Sequence, residues 1–242
     1  MARHIKPKYK RIVLKLSGEM LCSAEGSGLN AEAMLAVADQ IKQVAKMGVQ
    51  IGLVIGGGNF LRGRDLAGNK NIERSTADYM GMLATMMNGL AMRDMLQSIG
   101  QKAAVLSPLA DPRICEPFSR RRAVELLEGG YVVLLAGGTG SPYFTTDTCA
   151  ALRASEIGAD VLLKATKVDG VFDSDPVKNP SAKKYDRLTY HKVLTDQLGV
   201  MDMTAISLCR ESGIPIVVFA VARKGSLASV VSGRAVGTTV GC

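Results

Sequence analysis

Three glycine-rich turns hold the residues best suited to chemistry: Ser17-Gly18, Gly56-Gly57-Gly58-Asn59 and Gly137-Gly138-Thr139-Gly140-Ser141. Glycine lets backbone N–H groups approach an anion closely, and a helix starting just beyond the turn adds partial positive charge, so such turns suit phosphate. Lys15 stands two residues before the first turn, and Arg62 lies four residues beyond the triple glycine. A lysine inside the run Ile-Val-Leu-Lys-Leu either ends in a polar pocket or sits on an edge strand facing water, and periodicity leaves both open. Arg62 and the acids that follow the other loops tip the pattern toward an anion clamp.

The familiar nucleotide fingerprints are missing. No G-x-x-x-x-G-K-[ST] occurs, residues 56–61 read GGGNFL without the third glycine of G-x-G-x-x-G, and neither H-R-D nor D-F-G is present. Nucleophilic dyads are poorly supplied, because His4 and His191 are the sole histidines and His191 has the polar context of a surface helix. Phosphate chemistry here needs another scaffold.

The elements that must position these groups alternate. Short, β-branched, nearly continuous apolar runs at 11–16, 49–55, 102–106, 131–136, 160–164 and 214–219 suit strands buried on both faces. Helical spacing falls at 31–47, 75–98, 119–128, 147–157, 203–212 and 225–232, which predicts an α/β chain with a mostly parallel sheet. The three glycine turns then follow the first, second and fourth strands, at one end of the sheet. Residues 166–189 are rich in turn formers and read as a loop-and-hairpin excursion. Ser75-x-x-Asp78 reads as a capping box opening a helix that carries Met80, Met82, Met86, Met87, Met92 and Met95, a density suited to core or to a subunit interface.

Composition narrows the class. The 242 residues are 47% hydrophobic, enough for a full core, and the net charge is +8. Six of the basic residues, Arg3, Lys6, Lys8, Lys10, Arg11 and Lys15, precede the first acid; the other 24 face 22 acids, so the body is nearly balanced and nucleic-acid binding is disfavoured. Five scattered cysteines without a C-x-x-C pair suit reduced thiols rather than disulfides or zinc. Apolar runs are far shorter than the ~18 residues of a membrane span. The basic N-terminus lacks a continuous apolar stretch and a cleavage-like site, so a cytoplasmic chain is expected.

The motifs together carry a family resemblance. K-L-S-G-E at 15–19, G-G-G-N-x-x-R-G at 56–63, A-D-x-M-G-M-L-A-T at 77–85, G-G-T-G-S-P-Y-F-T-T-D at 137–147 and K-A-T-K-V-D-G-V-F at 164–172 resemble, in order and spacing, the bacterial uridylate (UMP) kinases of the amino-acid-kinase fold. The resemblance implies a three-layer αβα sandwich and a single domain over 1–242. Its N-terminal lobe, about 1–160, would take UMP and its C-terminal lobe, about 161–242, ATP. The reaction implied is ATP and UMP giving ADP and UDP with Mg²⁺, its metal ligands left unassigned.

The resemblance also assigns residues. Lys15, Arg62 and Asp147 would be catalytic, with Asp147 orienting Lys15. Lys15, Leu16, Ser17, Gly18, Gly58, Arg62, Thr166, Phe172 and Asp175 would bind ATP. Gly57, Asp78, Gly138, Thr139, Gly140, Ser141, Pro142, Tyr143, Phe144 and Thr145 would bind UMP. Asp160 and Asp202, at a strand start and a helix end, are candidates for the pocket or the metal, against the ordinary reading of each as a local cap.

Departures from the family pattern matter as well. Ser141 stands where the family usually has Asn, and Phe172 where Tyr is also common, which removes a phenolic hydrogen bond. Relatives form homohexamers with UTP inhibition and GTP activation. Many carry Gly-Phe-Gly-Ile-Asp where this chain reads Gly26-Ser27-Gly28-Leu29-Asn30, so weak or altered GTP activation is expected. The competing readings are a kinase of the same fold acting on carbamate or a carboxylate, and a nucleic-acid regulator using Arg120-Arg121-Arg122.

Overall fold

The computed structural model describes residues 6–22, 27–61 and 71–241. Arg62, Gly63, Gly26 and the first five residues, including Arg3 and His4, lie outside the described residues. The first part of the chain runs β1 (Arg11–Leu16), α1 (Ala31–Lys46), β2 (Gln50–Ile55), α2 (Arg74–Ser98), β3 (Ala103–Ser107), β4 (Glu116–Pro117), α3 (Arg120–Glu128), β5 (Val132–Leu135) and α4 (Thr146–Ile157). It continues through β6 (Val161–Thr166), the hairpin strands β7 (Val171–Phe172) and β8 (Lys184–Tyr185), then β9 (Arg187–Thr189), α5 (Tyr190–Thr195), α6 (Met203–Glu211), β10 (Ile216–Ala220), α7 (Ser226–Val231) and β11 (Thr238–Gly241).

Nine of these strands form one sheet in the order β4-β3-β5-β2-β1-β6-β10-β11-β9. All pairings are parallel except β10 with β11. Alternate side chains of β1 go to opposite layers. Ile12, Leu14 and Leu16 pack with Ile41 of α1, Met92 of α2 and Leu227 of α7, whereas Val13 packs with Leu126 of α3, Ala150 of α4 and Ile206 of α6. Both faces are therefore covered by helices, which is why the strands read as unbroken apolar runs and why the expected αβα sandwich is found. β1 lies between β2 and β6, so Lys15 is not on an edge strand.

The sheet is longer than the six apolar runs predict. β4, β9 and β11 were not anticipated, being only two to four residues long with few large apolar side chains. The expected excursion supplies the β7/β8 hairpin, Val171 opposite Tyr185.

The capping box is a correction. α2 starts at Arg74 with Glu73 as its N-cap, and no side chain caps it. Ser75 sits inside the first turn and Asp78 beyond it, where both Asp78 oxygens lie 3.1 Å from Arg74 Nε. The methionines divide as their spacing permits. Met82, Met86 and Met92 are buried, whereas Met80 and Met87 share an exposed face with Tyr79 and Leu83. The arginine triplet is occupied: Arg120 donates to the Glu156 carbonyl, Arg121 pairs with Glu125, and Arg122 with Glu116. Among the described residues no helix is long and apolar enough to cross a membrane.

Candidate active site

The turns after β1, β2 and β5 lie side by side, because the sheet order places β5, β2, β1 and β6 next to one another and all run in one direction. The C-terminal edge of a parallel sheet is where crevices for ligands open. Two lysines project there from adjacent strands in register, Lys15 of β1 opposite Lys164 of β6. Like charges this close need a counter-ion, and Asp147 in the first turn of α4 provides it. Its Oδ1 is 2.8 Å from Lys15 Nζ, and its Oδ2 is 2.7 Å from Lys164 Nζ. None of the three side chains is more than 15% exposed.

The two lysines differ in their partners. Lys164 donates a hydrogen bond to Asp147 Oδ2 and another, 2.5 Å long, to the Val200 carbonyl. Lys164 thus has a second protein partner, whereas Lys15 meets Asp147 Oδ1 in a 2.8 Å ion pair. Burial alone would push the Asp147 carboxyl up; the charges of Lys15 and Lys164 override it and hold the acid below its ordinary value. Burial lowers Lys164 below its ordinary value, with Asp147 partly opposing the change.

Asp147 is held from behind by helix capping. Thr145, the N-cap of α4, accepts from the Asp147 and Thr148 N–H groups. Asp202, the N-cap of α6, accepts from Ala205 N–H and from the hydroxyls of Thr145 and Thr148. One carboxylate thus joins the starts of two helices, which is the local-cap reading of Asp202 with a positional consequence for Asp147.

The triple-glycine turn is shaped by a buried amide pair. Asn59 and Asn88 exchange two hydrogen bonds, 2.9 and 2.8 Å long, and Asn88 Nδ2 also donates to the Gly56 carbonyl at 2.7 Å. Asn59 Nδ2 further reaches the Gly28 carbonyl. These bonds use carbonyls and side chains, so the Gly57 and Gly58 N–H groups have no partner among the described residues. Gly57 must be glycine, because a Cβ there would lie 2.8 Å from Ala84 Cβ and 2.9 Å from the Gly81 carbonyl of α2.

The third turn is pinned to α2 and α4. Gly137 N–H donates to Thr85 Oγ1 at 2.9 Å, and Tyr143 N–H to Asp78 Oδ2 at 2.8 Å. Arg153 of α4, only 4% exposed, donates to the Gly138 carbonyl and stacks 3.8 Å from the Phe118 ring. Tyr143 adopts φ 73°, a strained value for a non-glycine residue, at the point where Asp78 grips it.

Two cavities flank this edge. One of about 460 Å³ is lined by Gly57, Gly58, Asp78, Gly138, Thr139, Phe144 and Thr145, together with Thr146, the neighbour of Asp147. The other, of about 470 Å³, is lined by Thr166, Phe172, Asp175 and Lys164. Of the residues assigned to ATP, Thr166, Phe172 and Asp175 line the second cavity, whereas Gly58 lines the first, and Lys15, Ser17 and Gly18 are in neither wall. Gly140, Ser141, Pro142 and Tyr143 are in the same loop but outside the first cavity's wall. The Leu16 side chain is wholly buried in the core, so only its backbone faces the turn.

Asp160 is not brought to this site. It precedes β6, at the opposite end of the strand from Thr166, and its carboxylate accepts from the N–H groups of Lys10 and Arg11. An acid at a strand start capping its neighbour's backbone explains it fully. Lys164 is the site residue that sequence reasoning missed. The signal was available, since a lysine in Val-Leu-Leu-Lys raises the same desolvation problem as Lys15. Cys115, Cys149 and Cys209 are buried thiols: burial pushes Cys149 up to about 11 and Cys209 up to about 12.

A model of the amino acid kinase family matches residues 10–220. The chain belongs to the amino acid kinase family. The uridylate kinase of Methylococcus capsulatus is 51% identical over 233 residues, covering 96% of this chain and 97% of the relative. That of Legionella pneumophila is 51% identical over 236 residues, covering 98% and 95%. Among solved structures, the UMP kinase from Bacillus anthracis superposes with a TM-score of 0.93 at 37% identity, over 96% of each chain.

Proposed function

We propose that the chain is a uridylate kinase, transferring the terminal phosphoryl group of ATP to UMP and releasing ADP and UDP. Identity of 51% to two uridylate kinases over nearly the full length supports the acceptor. The observation that carries the chemistry is the Lys15–Asp147–Lys164 cluster at the sheet edge, with Lys164 in the wall of one cavity and Thr146, next to Asp147, in the wall of the other.

Phosphoryl transfer asks a protein for alignment and charge neutralisation more than for covalent chemistry. In this reading ATP occupies the cavity of Thr166, Phe172 and Asp175, and UMP that of Asp78 and Thr139. The N–H groups of Ser17, Gly18, Gly57 and Gly58 donate to phosphate oxygens. Lys15 neutralises charge as an oxygen of the UMP phosphate bonds to the γ-phosphorus and the bond to the β-phosphate oxygen breaks. A phosphomonoester has its second pKa near 6, so the attacking oxygen is already anionic at neutral pH and no general base is required. This suits a site whose nearest carboxylate is committed to two lysines. Arg62 would grip the acceptor or transferred phosphate in a bidentate manner.

Among the described residues no three His, Cys, Asp or Glu side chains gather to hold a metal. Mg²⁺ bound together with ATP would supply further neutralisation of the phosphates, and its ligands are left unassigned. We assign residues 1–160 to the UMP side and 161–242 to the ATP side. A homohexamer is also proposed, with the exposed face of Tyr79, Met80, Leu83 and Met87 as a contact between copies. UTP inhibition and weak GTP activation complete the reading. Asn30 caps α1 by accepting from Ala33 N–H, in the segment where the family's aromatic residue and acid are replaced.

ADP release measured with UMP, CMP, carbamate, aspartate and acetylglutamate as acceptors tests the assignment. Turnover with UMP well above all others is expected, and a preference for carbamate or a carboxylate would overturn it.

A further inference from the structure

Resting on the phosphoryl-transfer reading above, we propose that Lys164 is a positioning residue: it anchors Asp147 so that a single carboxylate oxygen faces Lys15, which is held in place while its remaining hydrogen-bond donors stay available for phosphate. An ammonium group has three donors and no acceptor. Lys164 directs two of its donors inward, to Asp147 Oδ2 at 2.7 Å and to the Val200 carbonyl at 2.5 Å. Lys15 meets only Asp147 Oδ1, at 2.8 Å, so at most one of its three donors is directed to the carboxylate. The carboxylate therefore steadies Lys15 through one oxygen.

This division of labour follows from the backbone. Registered opposite each other on adjacent parallel strands, the two lysines would repel unless something lay between them. Asp147 lies there because Thr145 and Asp202 fix the start of α4. A carboxylate facing Lys15 alone could rotate to satisfy that ammonium with both oxygens, consuming the donors the reaction needs. Lys164 claims one oxygen and prevents it. Its bond to Val200 also ties the charge cluster to the wall of the second cavity, of which Val200 and Lys164 are both part.

The test is a double-mutant cycle with Lys164→Met and Asp147→Asn, singly and together, on the full-length enzyme. Wild-type turnover with UMP is measured first; if UMP is not the acceptor, the reading above fails and the cycle is run on whichever acceptor wild type uses. Lys164→Met is expected to lower kcat about 100-fold. KM for ATP and UMP should stay within about threefold, a split that marks an interaction made in the transition state. Added to Asp147→Asn it should cost little more than about threefold, because a residue acting through Asp147 has nothing left to position. Lys164→Arg, which keeps the charge, should recover part of kcat. Calorimetric titration with UMP counts competent sites, so misfolding appears as lost stoichiometry and kcat is expressed per competent site. Undiminished kcat per site, multiplicative losses in the cycle, or a rise in KM for ATP with kcat intact would overturn the proposal.

Discussion

Replacing Asn88 by Ala should damage the triple-glycine turn without touching any nucleotide. The side chain is fully buried and makes three hydrogen bonds: one to the Gly56 carbonyl and a reciprocal pair with Asn59. Each is worth about 1 kcal/mol net, and Gly56 O and Asn59 Oδ1 would lose their donor in a site shut off from water. A loss of about 3 kcal/mol follows, which for a chain of this size lowers Tm by roughly 6–12 °C. Asn88→Asp should be worse at neutral pH, because it supplies no donor and sets an anion against two oxygens. Its carboxyl would titrate above the ordinary value, so its deficit relative to Asn88→Ala should shrink as pH falls toward about 4 and a proton restores a donor. Differential scanning calorimetry across pH 4–8 measures both. A Tm loss under about 2 °C for Asn88→Ala, or an Asp variant as stable as wild type at pH 7, would refute the argument that the amide pair shapes the turn.

Other consequences follow from the same contacts. Gly57→Ala places a methyl group 2.8 Å from Ala84 Cβ and should cost about 1–3 kcal/mol by overpacking, with a raised KM for UMP; unchanged melting and KM would count against the close approach of turn and helix. Asp147 has a depressed carboxyl, so its stabilising contribution is complete above the ordinary value near 4 and is lost as pH falls through the lower folded value. The Tm gap between wild type and Asp147→Asn should accordingly be flat from pH 5 to 7 and narrow below about pH 4; a gap that widens on acidification would reverse the sign. Asp202→Ala removes the cap of α6 and the acceptor shared by Thr145 and Thr148. It should cost about 1–2 kcal/mol as a lost cap and lower kcat through Asp147, whereas loss of stability with kcat intact would leave it a cap alone.

The strands that build the site were legible because they are central. Burial on both faces demands unbroken apolar side chains, and Arg11–Leu16, Gln50–Ile55 and Val161–Thr166 show that demand directly. β9 and β11 were hidden because short edge-side strands need only one or two apolar anchors, Leu188 and Val240 here. The glycine turns announced phosphate, but not what shapes them, since nothing in Gly-Gly-Gly-Asn reveals that the asparagine pairs with another 29 positions away. Asp78 misled for a physical reason: an acid three residues after a serine fits a capping box, yet Arg74 and the Tyr143 N–H claim it instead. Asp160 and Asp202 were equivalent from sequence alone, and only the direction of β6 separates a cap at the far edge of the sheet from one that braces the start of α4.

Lys15→Met, assayed with ATP and UMP alongside calorimetric UMP binding, bears most directly on a charge cluster that neutralises the transferring phosphoryl group. A fall in kcat of about 100-fold or more, with UMP affinity within about threefold of wild type, is the predicted result. Near-normal turnover would contradict it.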